Sequence, residues 1–276
     1  MIYKLNKNDY FKIKPLLEIS KRTDDIALNA IINGTNRGAV YVDNVKNPKT
    51  ALVDVIGINS MLIGDSSNEY FIPHLRDFVE GQLKIDTYES CGGTYFLTVL
   101  NDEDWEKVLG NVFSHREYEW DYELYYQLQT DQFHIVKQSY KGLPDGYTLE
   151  KIDCNVIQDD PNHTLHDVLS EVWYSIDDFI EYGFGYCVMK GKEVVSACFS
   201  CTVNGSEHEI SVETYDEDEM GKGLATAACT AYLEECLRNG MIPIWSTLET
   251  NVESVHLAEK LGFQSTHKRK TFEFEF

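Results

Sequence analysis

Hydrophobic and polar positions follow regular patterns in the C-terminal half of the chain, where predicted strands and helices alternate. The spacing of apolar residues predicts a strand over residues 147–153 and a helix over residues 163–173. Ser175 can cap a further helix through Ile180. Two turn signals, Gly191-Lys192 and Asn204-Gly205, follow further on. They separate three predicted strands, over residues 186–190, 193–203 and 207–214.

A long helix is predicted next, over residues 222–239, with Gly240 ending it. Its apolar residues recur on one face, as the core side of a helix requires: Cys229, Leu233, Cys236 and Leu237. A strand over residues 241–247 and a helix over residues 252–261 follow. Residues 271–276 alternate strictly between apolar and polar, which predicts a strand with one exposed face.

The N-terminal half gives a similar mixture of elements. Residues 10–32 are predicted to be helical, and two short strands follow, over residues 39–43 and 51–56. The segment from Asp65 to Asn68 can cap a helix that continues through Phe71 and Val79. A buried strand over residues 94–100, a helix beginning at Asp102 and an aromatic-rich strand over residues 118–128 complete this half. The patterns together predict a mixed α/β (α+β) chain with two domains, residues 1–130 and 131–276.

The composition and net charge limit the classes of molecule that this chain can bind. The 276 residues are 43% hydrophobic, which fits a folded protein, and 46 Asp and Glu against 24 Lys and Arg give a formal net charge of −22. Such a surface repels phosphate backbones and anionic lipids and attracts small cations. We therefore expect neither nucleic acid nor a membrane as partner, although the aromatic segment 118–128 could otherwise stack bases. With no secretion-signal pattern in the first residues and no run of ~20 apolar residues, we expect a cytoplasmic protein.

Seven scattered cysteines do not form the pattern of a disulfide framework. Cys198 and Cys201 have the C-x-x-C spacing of a metal site, but they lie in a predicted strand, where residues three apart point to opposite faces. No second Cys or His pair follows at ligand spacing. We expect no metal and interpret these cysteines as small core residues.

Candidate chemistry concentrates where a strand passes through a loop into the long helix, between Ser211 and Thr226. Gly221 and Gly223 stand where that helix begins, and Lys222 adds a positive charge between them. Glycines at a helix start allow backbone N–H groups to approach an anion closely, which favours a phosphate or diphosphate. The spacing matches neither the P-loop nor the Rossmann fingerprint, which would need Gly at position 226.

Downstream residues extend this loop into a family resemblance. The segment Gly223-Leu-Ala225, the long helix, and the series Asn251, Ser254, Leu257, Lys260-Leu-Gly-Phe263 resemble the GCN5-related N-acetyltransferase (GNAT) superfamily. The family's loop reads Q/R-x-x-G-x-G/A, and its later helix reads N-x-x-A-x-x-L-Y-x-K-x-G-F. More narrowly, four segments resemble the zwittermicin A resistance protein branch: Trp173 to Phe179, Gly183 to Tyr186, Gly221 to Thr226, and Leu257 to Phe263.

This resemblance implies an acyl-CoA N-acyltransferase (GNAT) fold in the C-terminal half, preceded by a degenerate GNAT-like α/β half. It also implies that acetyl-CoA binds between the strand ending at Thr214 and the strand starting near Met241. The backbone of Val212, Glu213 and Thr214 would pair with the pantetheine arm, and Asn251 and Ser254 would line the far side. The diphosphate would lie on the loop and helix start, whose predicted contacts are Met220, Gly221, Lys222, Gly223, Leu224, Ala225 and Thr226.

Three departures from the family pattern concern the chemistry of the site. Met220 stands where the family has Gln or Arg, so one donor near the diphosphate is missing. The loop also carries four consecutive carboxylates, from Asp216 to Glu219, which should weaken anion binding unless Lys222 offsets them. Ala258 replaces the family tyrosine that protonates the departing thiolate.

Acetyl transfer to an amine needs a base, because an alkyl amine with a pKa of about 10 arrives protonated. Glu213 is our candidate, since it shares one strand face with Glu209 and relatives place a carboxylate on this strand. His256, two residues before Ala258, is the candidate acid. Both have a structural alternative, as an ordinary strand-surface residue and an ordinary helix-surface residue. For the aromatic residues Trp173 and Trp245, core packing is the favoured interpretation over an acceptor pocket.

The sequence therefore leaves two classes of function open. One is an acetyl-CoA-dependent N-acetyltransferase that acts on a primary amine of a small cationic molecule in a ternary complex. The other is a catalytically inactive GNAT-like module that binds acyl-CoA or another protein. The N-terminal half could shape the acceptor site or form a homodimer interface.

Overall fold

The computed structural model of this chain describes residues 1–100, 102–140 and 142–276. It divides into two compact units, the first from Met1–Glu123 with Lys268–Phe276 and the second from Leu124–His267. The final residues, 268–276, thus belong with the first unit, whereas the predicted division at residue 130 places them in the second domain. None of the helices in the described ranges combines the length and the apolar character that a membrane span requires.

The first unit contains short helices and a sheet of mixed direction. It includes a 3₁₀ helix (Lys7–Ile13), which precedes the first α-helix, and a π-helix (Val79–Leu83), which joins the third α-helix to the fourth. The remaining elements are β1 (Tyr3–Lys4), α1 (Lys14–Ile19), α2 (Ile26–Asn33), β2 (Ala39–Val42), β3 (Thr50–Val55), β4 (Asn59–Gly64), α3 (Ile72–Phe78), α4 (Lys84–Cys91), β5 (Tyr95–Val99), α5 (Glu103–Val112) and β6 (Glu119–Leu128). The boundary between the units falls within β6.

The second unit contains the order of elements that the sequence predicts, with two additional helices, α6 and α7. Its elements are α6 (Thr130–Ser139), β7 (Tyr147–Lys151), α7 (Cys154–Asp159), α8 (Thr164–Val172), α9 (Ile176–Tyr182), β8 (Gly185–Lys190), β9 (Glu193–Asn204), β10 (Glu207–Thr214), a 3₁₀ turn (Glu217–Glu219), α10 (Leu224–Asn239), β11 (Ile242–Leu248), α11 (Val252–Lys260) and β12 (Phe263–Glu275). The last strand continues into the first unit.

In the first unit, strands β1 to β5 lie in chain order and the end of β12 pairs beside β5. Neighbouring strands are antiparallel except β4 and β5, which are parallel. Phe272 and Phe274 of β12 are buried, whereas Glu275 is exposed. The predicted strand is confirmed, but its polar face is exposed only at Glu275, because Thr271 is fully buried and Glu273 is half-buried.

Two predictions for the first unit are wrong in detail. The predicted helix 10–32 is interrupted after α1, where Lys21 has a positive φ of 52° and Asp25 caps a new helix by accepting from the N–H of Leu28 at 3.0 Å. The segment Asp65 to Asn68 forms a turn, and α3 begins only at Ile72, without a side-chain cap. Strand β4 was not predicted, because its central residues are buried on both faces and give no alternation.

In the second unit the sheet has the strand order β6-β11-β10-β9-β8-β7. The main core lies between this sheet and the helices α10 and α11, and its largest side chains include Trp245, Tyr232 and Phe133. Gly262, in the Leu-Gly-Phe segment after α11, has a φ of 91°, and a Cβ there would lie 2.8 Å from the backbone nitrogen of Phe133. This close approach explains why the chain carries glycine at this position.

A polar cluster is buried inside this core. The Oγ of Ser200 lies 3.1 Å from Nδ1 of His208 and 2.8 Å from the hydroxyl of Tyr232. His208 is 3% exposed, and burial lowers the pKa of its imidazole to about 4. The folded protein therefore holds this histidine neutral at pH values where an unfolded chain would protonate it.

We predict that His208 makes the protein less stable as the pH falls from about 6.5 to about 4. Over this range the unfolded chain takes up a proton at this position and the folded chain does not, so the free energy of unfolding falls by about 2–3 kcal/mol. A His208→Gln variant should lose this part of the pH dependence in urea unfolding measured at several pH values. His134→Gln, at an exposed position, should keep it. Parallel curves for the parent and His208→Gln would contradict the assignment.

Candidate functional site

The loop between β10 and α10 has the conformation that its glycines allow. Gly221 and Gly223 have φ angles of 74° and 82°, in the left-handed region that other residues rarely adopt. A Cβ built on either glycine would meet no atom within 4 Å, so the backbone here faces open space. Gly223 is the N-cap of α10, and the first N–H groups of a helix lack partners within it. A small anion can therefore reach these amides directly.

Beside this loop, β10 and β11 run parallel but remain paired only briefly. Residues 207–209 lie opposite residues 242–244, and among the described residues no further pair follows. Yet β10 continues to Thr214 and β11 to Leu248. A register shift between Glu209 and Ile210, at the end of the paired stretch, marks a bulge against β9. The two strands consequently diverge toward the loop.

The divergence leaves backbone groups of β10 without a neighbouring strand. The N–H of Tyr215 donates to the carbonyl of Val195 on β9 at 3.0 Å, and the carbonyl of Glu213 accepts from a serine hydroxyl of β9 at 2.8 Å. Because backbone groups point alternately to the two sides of a strand, those of Val212 and Thr214 point away from β9, toward the gap. An extended ligand with amide groups could pair with them.

A cleft with a volume of about 670 Å³ lies between the diverging strands, the loop and α11. The start of α10 forms one end of the cleft, and the start of α11 forms its far side. Eleven of the twelve predicted contacts for the cofactor line this cleft: Val212, Glu213, Thr214, Met220, Gly221, Gly223, Leu224, Ala225, Thr226, Asn251 and Ser254. The structure thus brings together residues up to about forty positions apart, and their role in binding stays a prediction.

Lys222, the remaining predicted contact, does not line the cleft. Its Nζ donates to Glu219 at 2.9 Å and to the hydroxyl of Tyr147 at 3.2 Å. Lys222 therefore offsets one of the four loop carboxylates and fixes the loop to β7. Its predicted contact with the cofactor stays a prediction.

Glu219 is the centre of that attachment. Its side chain is 3% exposed and accepts from Lys190 at 2.6 Å, from Lys222 and from the Tyr147 hydroxyl. These hydrogen bonds lower the pKa of Glu219 to about 2, so the carboxylate stays ionised at any ordinary pH. One of the four loop carboxylates is thus neutralised by two lysines, whereas Asp216, like the two residues after it, is exposed.

On the far side of the cleft, Asn251 and Ser254 form the start of α11. The Asn251 side chain caps this helix by accepting from the N–H of Ser254 at 3.1 Å. The Ser254 hydroxyl in turn accepts from the indole N–H of Trp245 at 3.2 Å. Trp245 is buried, as is Trp173, so the core interpretation of both tryptophans is confirmed.

The two candidate catalytic residues both line the cleft. Glu213 is exposed on β10, and His256 is exposed on α11. Ala258 is fully buried in the core, so this position supplies no proton donor to the cleft. The positions of Glu213 and His256 are compatible with the roles of base and acid, which stay predictions.

The cysteines lie away from the cleft lining. Cys198 and Cys201 are buried in β9, and burial raises the pKa of both thiols well above the ordinary value. Neutral thiols of this kind are poor nucleophiles and poor metal ligands. Among the described residues, no group of three or more His, Cys, Asp or Glu side chains could hold a metal ion.

Sequence reasoning missed several residues of this site. Lys260 lines the cleft beside Thr226, although only its place in the family motif drew attention to it. Tyr147 and Lys190 hold the loop from other strands, and no spacing in the sequence indicates that contact. Val252, Glu253 and Leu257 complete the lining on α11.

Comparison with known proteins gives consistent results over nearly the whole chain. A family model described as GNAT acetyltransferase matches residues 15–272. The protein named "Uncharacterized N-acetyltransferase YdfB" from Bacillus subtilis (strain 168) is 26% identical over 270 residues, which cover 96% of this chain and 95% of that protein.

Two solved structures share the fold. A GCN5-related N-acetyltransferase-like protein from Streptococcus suis 89/1591 has a TM-score of 0.67 at 21% identity and covers 94% of this chain and 99% of its own. A tandem GNAT protein from the clavulanic acid biosynthesis pathway has a TM-score of 0.58 at 10% identity, covering 100% of this chain and 98% of its own. These likenesses confirm the predicted GNAT fold, and neither name refers to the zwittermicin A branch. Since the family model matches most of its length, this chain belongs to the GNAT acetyltransferase family.

Proposed function

We propose that this GNAT-family enzyme transfers the acetyl group of acetyl-CoA to a primary amine of a small cationic molecule. The observation that carries the proposal is the cleft between β10 and β11. It offers the outward-facing backbone groups of Val212 and Thr214 at one end and the amide-rich start of α10 at the other. An acyl-CoA needs both surfaces, because its pantetheine arm carries amide groups and its diphosphate is an anion.

The residues that line the cleft fit the cofactor in shape as well as in chemistry. Both loop glycines face open space, so a phosphate can approach the backbone without displacing a side chain. Asn251 uses its side-chain oxygen for capping α11, so its remaining amide group and the Ser254 hydroxyl are neutral polar groups available at the start of that wall. No metal is needed for this binding mode.

The reaction is written as direct attack in a ternary complex. The amine nitrogen forms a bond to the thioester carbonyl carbon, the carbon–sulfur bond breaks, and CoA leaves as a thiol. Glu213 takes the first proton from the ammonium form of the acceptor, directly or through water, and the nitrogen loses its second proton to water after the attack. His256 donates a proton to the departing sulfur, so the reaction releases one proton overall. The net charge of −22 supports a cationic acceptor and disfavours nucleic acid and membranes. We also propose a cytoplasmic location.

One specific observation favours a second candidate function. Met220 supplies no polar donor and Ala258 no proton, so the chain lacks two side chains that the family motif provides. A catalytically inactive module that binds acyl-CoA or another protein would tolerate both changes. The two functions differ in whether bound acetyl-CoA is consumed.

Calorimetric titration with acetyl-CoA tests the binding part of the proposal. The parent protein should bind, and Gly223→Asp should raise the Kd by about a hundredfold or more, because a carboxylate at the helix start repels the diphosphate. Gly205→Asp is the matched control, since Gly205 also has a positive φ of 62° and open space around its Cβ position. Absence of binding by the parent at millimolar ligand would refute the proposal.

Turnover of the bound cofactor separates the enzyme from the binding module. Thiol release from acetyl-CoA should accelerate with at least one amine among spermidine, an aminoglycoside and an aminopolyol. Glu213→Gln should then lower kcat about a hundredfold, with the KM for acetyl-CoA little changed, because the loss of the base affects the chemical step. Glu217→Gln removes the same charge from the exposed loop and should leave kcat unchanged. A Glu213→Gln variant within threefold of the parent would exclude Glu213 as the base.

A further inference from the structure

The charges that line the cleft do not suit an anion. Among the described lining residues, Glu213 and Glu253 are exposed carboxylates, and Lys260 is the one lysine. The third lining carboxylate, Glu219, is neutralised by two lysines. The loop's own lysine, Lys222, does not line the cleft and donates to the buried Glu219. A ligand with several phosphate groups would therefore be bound by the backbone amides at the start of α10 and by the positive charge of Lys260.

Lys260 lies close to those amides. It is the last residue of α11, and its Nζ donates to the Oγ1 of Thr226 at 3.0 Å. Thr226 is the third residue of α10, within the first turn whose N–H groups have no partner in the helix. The ammonium group thus lies beside the place where an anion would meet the backbone.

The charge of Lys260 is also free of a neutralising carboxylate. Thr226 is an uncharged partner, and among the described residues no carboxylate forms an ion pair with Lys260. In the described part of the second unit, most other lysines form an ion pair with a glutamate. These pairs are Lys137 with Glu234, Lys151 with Glu235, and both Lys190 and Lys222 with Glu219.

We propose that Lys260 binds the diphosphate of CoA and supplies the positive charge that the sequence suggests for Lys222. It also compensates for the donor missing at Met220, since a lysine offers three N–H groups to phosphate oxygens. This inference rests on the proposed function, because it concerns the same cleft. It adds a residue that the loop signature does not contain.

Calorimetric titration of CoA into full-length variants tests this assignment. Lys260→Met should raise the Kd about tenfold, and Lys260→Arg should stay within about threefold, because charge-assisted hydrogen bonds to phosphate are lost only in the first. Raising the salt concentration should weaken binding less in Lys260→Met than in the parent. The loss should persist with 3′-dephospho-CoA, which keeps the diphosphate. Thermal unfolding of each variant verifies that it is folded.

Lys192→Met is the matched control, because it removes the same charge from the same unit. Lys192 is exposed in the turn between β8 and β9. It should bind CoA as the parent does. Equal loss in Lys192→Met would overturn the proposal in favour of a general charge effect, and unchanged binding by Lys260→Met would overturn it outright. A loss that disappears with 3′-dephospho-CoA would assign Lys260 to the 3′-phosphate instead and overturn the diphosphate contact. Failure of the parent to bind CoA would refute the proposed function itself, which distinguishes the two claims.

Discussion

The early separation of β10 from β11 is the constraint on which the rest of the site depends. Two parallel strands that pair over only three residues leave backbone donors and acceptors unpaired beyond that point. Those groups need another partner, and the gap is wide enough to form a cleft rather than a row of buried, unsatisfied amides. The same gap ends at α10, whose first amides also lack partners. One local divergence thus leaves a row of backbone groups of β10 unpaired next to the free amides at the start of α10, and the proposed cofactor needs both.

Electrostatics places opposite demands on this cleft. A net charge of −22 attracts a cationic acceptor but opposes an anionic cofactor. The structure reduces the conflict locally, because two lysines neutralise the buried Glu219 and a third, Lys260, stays unneutralised beside the start of α10. Glu213 remains exposed and ionisable on the adjoining strand. The cofactor and the acceptor can therefore meet different charges within a few residues of each other.

Local signals account for what the sequence predicts well. The glycines at 221 and 223, the start of α11 at Val252 and the helical spacing of α10 are properties of short segments, and the structure reproduces each of them. Lys222 shows the limit of such reasoning. Whether its ammonium faces the cleft depends on Tyr147 and Lys190, which lie 75 and 32 positions earlier in the chain and contact Glu219 across the folded sheet. For the same reason, no pattern in the sequence indicates that Lys260 meets Thr226.

Hydrogen exchange measured by mass spectrometry, with and without saturating acetyl-CoA, tests the central claim most directly. The backbone groups that face the gap and the first amides of α10 exchange freely until a ligand pairs with them. The account predicts slower exchange in residues 210–226 and 251–260 on addition of acetyl-CoA, with little change in the first unit. Slowing confined to the first unit, or no slowing at a saturating concentration, would contradict it.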